Sequence, residues 1–226
     1  MFAALHAVLY LVSFGLWRNW GIYLESIEGI ILGPGFGFSA AFLGSIIGRM
    51  VRPDAFWMFG IVAEPFSVLM AGFLAKAKWK PVFVAYAIML SAYFVYPFGR
   101  ALPLWTILDI LLALFLIYPS AKFSENLFKN NVKRLSISLA LISFVCIATD
   151  SLVRVFMLVP AGLYGLFFKG FDELYSVFVL AAPDSFIEDG VVVAVSFLVG
   201  VPLLLAVSKF GFLKREQAKD EKERNF

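Results

Sequence analysis

Seven ionisable residues stand inside or at the ends of long apolar runs: Glu64, Arg100, Asp109, Asp150, Arg154, Glu188 and Asp189. A charge at membrane depth is costly, so such residues face a cavity or a partner and carry function. Glu64 precedes Pro65, which removes a backbone donor and frees a carbonyl beside the carboxylate. Asp150 and Arg154 sit one helical turn apart, acid first, so they either neutralise each other or share a pocket. Ser185-Phe-Ile-Glu188 fits a helix-capping box, leaving Glu188 a cap or a ligand-binding group. Glu64 and Asp109 have no partner within reach along the chain and are the strongest binding candidates. Trp57, Tyr93, Tyr96 and Trp105 supply aromatic walls for a small-molecule pocket. Trp17, Trp20, Trp57 and Trp105 also fit the role of interfacial anchors at span ends. His6, at the start of the first apolar run, is not expected to be a ligand.

The elements that must position these groups are membrane helices. The 226 residues are 62% hydrophobic and 15% charged, whereas soluble domains carry about 25% charge. Apolar runs mark seven candidate spans, at 2–17, 27–48, 55–75, 81–98, 102–118, 135–159 and 185–208. The stretch 161–182 is also apolar but holds Lys169, Asp172 and Glu173, and reads as an interfacial segment. The expected fold is therefore an all-α, polytopic transmembrane bundle of six to seven spans plus that segment. Residues 1–213 form one domain, followed by a polar tail at 214–226.

Lysines and arginines orient the bundle. With the N-terminus outside and seven crossings, inside segments hold fourteen basic residues and outside segments four. The outside four are Arg49, Arg52, Arg100 and Lys169. This arrangement predicts a cell-membrane protein with a cytoplasmic C-terminus. It also places Glu64, Asp109, Asp150, Arg154, Glu188, Asp189 and Arg100 in the outer half, as the lining of one outward-facing pocket.

The run ILGPGFGFSAAFLGSIIGRM adds a packing signal. Gly33, Gly37, Ala41, Gly44 and Gly48 recur at helical spacing on one face. Small residues let a second helix backbone approach closely within lipid.

Several segments together resemble the substrate-binding (S) components of energy-coupling factor transporters. The stretch IEGIILGPGFGFSAAFLGSIIG is similar to their second helix, with its Gly-Pro and small-residue face. Ala3 and Ala7 resemble the alanine pair through which S components dock on a transmembrane coupling subunit. FGIVAEPFSVLMAGFLAKAK is similar to the family's third helix, and PDSFIEDGVVVAVSFLVGVPLLLAVSK to its last. The resemblance implies a protein that binds a vitamin-like molecule and has no ATPase activity of its own. It would rely on a coupling subunit and two ATPases. Phe2 stands where metal-type members carry a histidine, so nickel or cobalt is not the implied cargo.

Other functions are less favoured by the residues. One cysteine, Cys146, allows no intrachain disulfide and no thiolate cluster, and a single histidine argues against a polyhistidine metal site. No nucleophile with a nearby base is visible, so no enzyme is expected. No cofactor is implied and no nucleic-acid module is present. An ion- or proton-coupled carrier or channel using the intramembrane carboxylates is the alternative reading, with a non-catalytic scaffold subunit behind it.

Overall fold

In a helix that crosses lipid, every backbone polar group is satisfied within the segment, so long apolar runs become helices. The computed structural model describes residues 1–12, 19–53, 56–125, 127 and 132–209, and among these there is no strand. Trp17, Arg18 and the tail at 214–226 lie outside the described residues. The chain runs α1 (Phe2–Leu11), α2 (Ile22–Val51), α3 (Trp57–Ala75), α4 (Trp79–Val95) and a short α5 (Pro97–Ala101). A 3-10 turn at Leu104–Ile107 leads into α6 (Leu108–Ser124), then α7 (Val132–Leu158). A second 3-10 turn at Leu163–Leu166 precedes α8 (Phe171–Val195), a π-helical turn (Ser196–Gly200) and α9 (Val201–Lys209).

Among the described residues five helical segments have the length and apolarity to cross a membrane: Ile22–Val51, which is interrupted at Gly33, and Trp57–Ala75, Leu104–Ser124, Val132–Leu158 and Phe171–Ser208. The first and fourth expected spans become the shorter apolar helices α1 and α4. The distribution of side chains is that of a membrane protein. Phe36, Phe115 and Leu180 are each about three-quarters exposed, while Glu25, Glu28, Glu64 and Asp150 are wholly buried. Apolar groups on the outside and charges on the inside suit a lipid surround.

Two expectations change. The segment 161–182 is not a separate interfacial element. From Phe171 onward it forms the first half of one long helical run that continues through α8 and the π turn into α9. Ser185 and Glu188 therefore sit in mid-helix, and the capping-box reading fails because the helix begins fourteen residues before Ser185. Pro183 lies inside the same helix.

The second change concerns α2, which is a hairpin. Gly33 has φ 73° and ψ 176°, a conformation that glycine adopts without a Cβ penalty, and Pro34 follows it. A Cβ on Gly37 would lie 3.5 Å from the carbonyl oxygen of Glu28 and 3.5 Å from Cα of Gly29. In an unbroken helix eight residues span about 12 Å. The chain therefore folds back at Gly33, and the arms 22–32 and 34–51 lie side by side. Both arms pack on α3: Gly29 against the backbone of Val68 and Gly72, and Pro34 against Gly72.

The small residues consequently serve contacts within the chain and do not share one neighbour. Gly37 meets Val68 of α3, and Gly44 meets the carbonyl of Ala3 and the Cβ of His6 on α1. Gly48 lies under the ring of Tyr10, and Ala41 is fully buried. Ala7 is buried, whereas Ala3 is partly exposed.

Short connections set the two ends of the bundle. Lys76, Lys78 and Lys80 lie where α3 passes to α4, and the hairpin tip at Gly33 touches Lys76. Trp79 packs on Tyr118, and Arg134 donates to the carbonyls of Lys122 and Phe123, so the α6–α7 connection shares that end. At the opposite end Phe56 packs on Phe167, and Phe98 on Tyr164. That end holds the starts of α3, α6 and α8 and the end of α7.

Candidate functional site

The fold-back of α2 brings together charges that are far apart in sequence. Arg49, near the end of the second arm, donates through Nη1 to Glu64 Oε2 at 2.9 Å and through Nη2 to Oε1 at 2.5 Å. Ser45, one turn earlier, donates to Glu64 Oε2 at 2.7 Å, and Asn19 Nδ2 donates to Oε1 at 3.1 Å. His6 from α1 lies between two acids: Nδ1 is 2.9 Å from Glu28 Oε2 and Nε2 is 3.3 Å from Glu64 Oε2. The Arg49 guanidinium sits over the Tyr10 ring at 4.6 Å and against Gly60, where any side chain would collide with it.

On its other side the network reaches α7. Arg154 Nε donates to Asp150 Oδ2 at 2.7 Å, Nη2 donates to Asp150 Oδ1 at 3.2 Å, and Nη2 lies 3.7 Å from Glu64 Oε1. Ser67 donates to both Glu25 and the carbonyl oxygen of Glu64. Four buried carboxylates thus face two guanidiniums and one imidazole. Bidentate, charge-assisted bonding of this kind is strong and fixes geometry.

Arg154 also lines a cavity of about 260 Å³ at the end of the bundle away from the lysines. Its walls come from α3 (Phe59), α6 and the turn before it (Thr106, Asp109, Ile110), α7 (Ser151, Arg154, Val155, Leu158) and α8 (Val177 to Glu188). Phe56 and Phe168 close it from the connecting segments. Asp109, Asp184, Glu188 and Arg154 supply its charge. Ser185 donates to Asp109 Oδ2 at 3.5 Å, which ties α8 to the start of α6.

Among the sequence candidates, Asp109, Arg154 and Glu188 line the cavity, and Glu64 and Asp150 hold Arg154 from behind. The remaining candidates lie elsewhere. Arg100 is exposed on α5. Trp57 and Trp105 are exposed at helix starts, which suits their anchor reading, and neither faces the cavity. Tyr93 is buried in the apolar core against Phe94, because α4 turns that face to the bundle and not to the site.

Sequence spacing missed the other half of the network. His6, Glu25, Glu28, Ser45, Arg49 and Ser67 are all buried in it. Arg49 had been assigned to an outside segment, but α2 extends to Val51 and carries it inward. The available signals were Glu25 and Glu28 bracketing the start of the apolar run, and Ser45 and Arg49 one turn apart at its end. Among the described residues no group of three or more His, Cys, Asp or Glu side chains is placed to hold a metal ion.

Fold and site define an α-helical membrane protein with a buried ion network beside a small cavity. Part of the chain is 28% identical, over 131 residues, to the uncharacterized protein MJ0923 of Methanocaldococcus jannaschii. The match covers 57% of this chain and 44% of that relative, so the chain spans less than half of its length. No family model matches the chain, and no solved structure matches it.

Proposed function

We propose that this chain is a membrane-embedded small-molecule-binding protein of a transport system. The observation that carries the reading is the cavity of about 260 Å³ whose wall residue Arg154 is pinned by buried Asp150 and Glu64. A concave, mostly apolar pocket with a few fixed polar groups is the usual form of a small-molecule site. Preorganised charges cost little to reorganise when a ligand enters.

The cavity opens at the end opposite Lys76, Lys78, Lys80, Lys122, Lys133 and Arg134. By the positive-inside rule this supports an outward-facing site in the cell membrane and a cytoplasmic C-terminus. The S-component resemblance supplies the energetic half of the proposal: uptake of a vitamin-like molecule, driven by a separate coupling subunit and ATPases. Ala7 is buried, so in this reading the coupling subunit grips a surface that does not depend on it. The test is purification of the tagged chain in mild detergent, with mass spectrometry of co-eluting small molecules and proteins. A stoichiometric metabolite with an ATPase complex supports the full proposal, and a chain that carries and binds no small molecule refutes it.

One observation favours a second reading, a carrier coupled to protons or cations. Buried acids outnumber buried bases, and Glu25 Oε1 and Glu28 Oε1 have no hydrogen-bond partner among the described residues. Intramembrane carboxylates of this sort serve as relays in pumps and carriers. Gradient-driven uptake into liposomes by the chain alone, lost in Glu28→Gln, would establish this reading in place of the first.

A further inference from the structure

We propose that Glu25 is a proton-binding site, a neutral carboxyl inside the bundle that exchanges its proton with water. The site lies apart from the cavity wall and deepens the carrier reading by naming its ion; only its transport role rests on that reading. Each of the other buried acids of the network has a base of its own. Glu64 has Arg49, Asp150 has Arg154 at 2.7 Å, and Glu28 has His6 at 2.9 Å. Glu25 is wholly buried, and its hydrogen-bond partner among the described residues is the Ser67 hydroxyl. Its second oxygen, Oε1, is buried with no partner. Around it stand Glu64 on α3, Cys146, Asp150 and Arg154 on α7, His6 on α1, and Glu28 on its own arm. On the α8 side this arm meets the uncharged π turn through Ser26 and Ser196, and Glu188 at Tyr23. Arg154 is already held by Asp150 and Glu64. A bare carboxylate at Glu25 would meet the cost of burial beside two acids.

The hydrogen bonds of Ser67 show where the compensating charge sits. Ser67 has one hydroxyl proton and faces two oxygens, the Glu64 carbonyl at 2.7 Å and Glu25 Oε2. With Glu25 ionised, that one proton is divided between two acceptors. With Glu25 protonated, the carboxyl donates to Ser67, Ser67 donates to the carbonyl, and both contacts are full hydrogen bonds. The unmet Oε1 is then a neutral carbonyl oxygen, which is cheaper to leave dry than half of a carboxylate. A metal ion fits less well, because hard cations gather about six oxygens, and at Glu25 one carboxylate meets one hydroxyl. On release the O–H bond of Glu25 breaks, its electron pair stays on Oε2 and the proton passes to water. Ser67 then turns its own proton from the Glu64 carbonyl to the new carboxylate.

The experiment is infrared difference spectroscopy of the full chain in liposomes, stepped between acidic and alkaline buffer in light and heavy water. The expected signal is the carbonyl stretch of a protonated carboxyl, present at neutral pH, shifted by deuteration and lost in alkali. Glu25→Gln should remove that band and Glu28→Gln should leave it. Ser67→Ala should keep the band and move it to the higher frequency of an acid without a hydrogen bond, which tests the assignment should Glu25→Gln not fold. Glutamine copies the neutral acid in shape and still donates and accepts, so Glu25→Gln should change the unfolding equilibrium by less than about threefold. Glu28→Gln, which strands His6, should weaken it about a hundredfold. A band that persists in Glu25→Gln, or stays unmoved in Ser67→Ala, overturns the proposal. Loss of stability in Glu25→Gln as large as in Glu28→Gln overturns it too. A band seen only when sodium and potassium are left out would replace the proton by a monovalent metal cation. Liposomes that show the band but accumulate no metabolite from a cell extract under a proton gradient would refute the carrier reading and leave the proton site standing.

Discussion

Replacing Glu64 by glutamine separates a buried charge pair from an ordinary hydrogen bond between helices. The glutamine keeps the shape, and its one carbonyl oxygen can still accept from either Ser45 or Asn19, which donate to separate carboxylate oxygens at 2.7 and 3.1 Å. What disappears is the negative charge facing Arg49, a residue that is 5% exposed. Two unit charges about 4 Å apart interact by about 4 kcal/mol at an effective dielectric constant near 20. Measured losses on stranding one partner of a buried pair are about 3–5 kcal/mol. A neutral interhelical hydrogen bond in a membrane protein averages only about 0.6 kcal/mol. The expected loss for Glu64→Gln is therefore about 3 kcal/mol or more, roughly a hundredfold in the unfolding equilibrium constant. Arg49→Met should cost a similar amount, and the double variant clearly less than the two together. The assay is reversible unfolding in mixed dodecyl sulfate and maltoside micelles, read by far-UV circular dichroism. A loss below about 1 kcal/mol for Glu64→Gln, or strict additivity in the double variant, would refute the claim that this pair organises the bundle.

Three further outcomes follow from particular contacts. Gly33→Ala places a side chain at φ 73°, ψ 176° and should cost about 1–3 kcal/mol, whereas Gly35→Ala, with nothing within 4 Å, should stabilise α2 by up to about 1 kcal/mol in the same unfolding assay. Gly60→Ala drives a Cβ into the Arg49 guanidinium and should behave like loss of the Arg49–Glu64 pair, about 3 kcal/mol by that assay. Arg154→Met strands the wholly buried Asp150 and should cost about 3 kcal/mol in the same unfolding assay, while Arg100→Ala, on exposed α5, should leave stability unchanged.

Local spacing carried the helices and left the tertiary pairing hidden. Long apolar runs with few charges make α3, α6 and α7 readable, because length and apolarity largely decide whether a segment spans lipid. The Asp150–Arg154 pair was readable too, since partners one turn apart meet on any helix. The partner of Glu64 was not, because Arg49 reaches it only after α2 folds back at Gly33 and lies along α3. Gly-Pro within an apolar run is the local trace of that turn, but a small-residue face at helical spacing reads equally well as one straight helix. His6 was passed over for the same reason: its two carboxylate neighbours, Glu28 and Glu64, are 22 and 58 residues away. Trp57 and Trp105 carry two readings in the sequence, pocket wall and interfacial anchor. Their position near the pocket-forming helix starts was correct, yet a ring at a span end gains more by facing the interface than by turning inward.

A binding role requires that the cavity between α3, α6, α7 and α8 hold a small molecule. Ala181 lines it, and Ala181→Trp would fill much of its volume of about 260 Å³ from a half-buried helix position. Native mass spectrometry of both proteins from the same membranes measures occupancy directly. A bound small molecule is expected on the wild-type chain and absent from Ala181→Trp, although that variant stays folded by circular dichroism. A wild-type chain with no bound molecule, or a molecule retained equally by the filled variant, would contradict it.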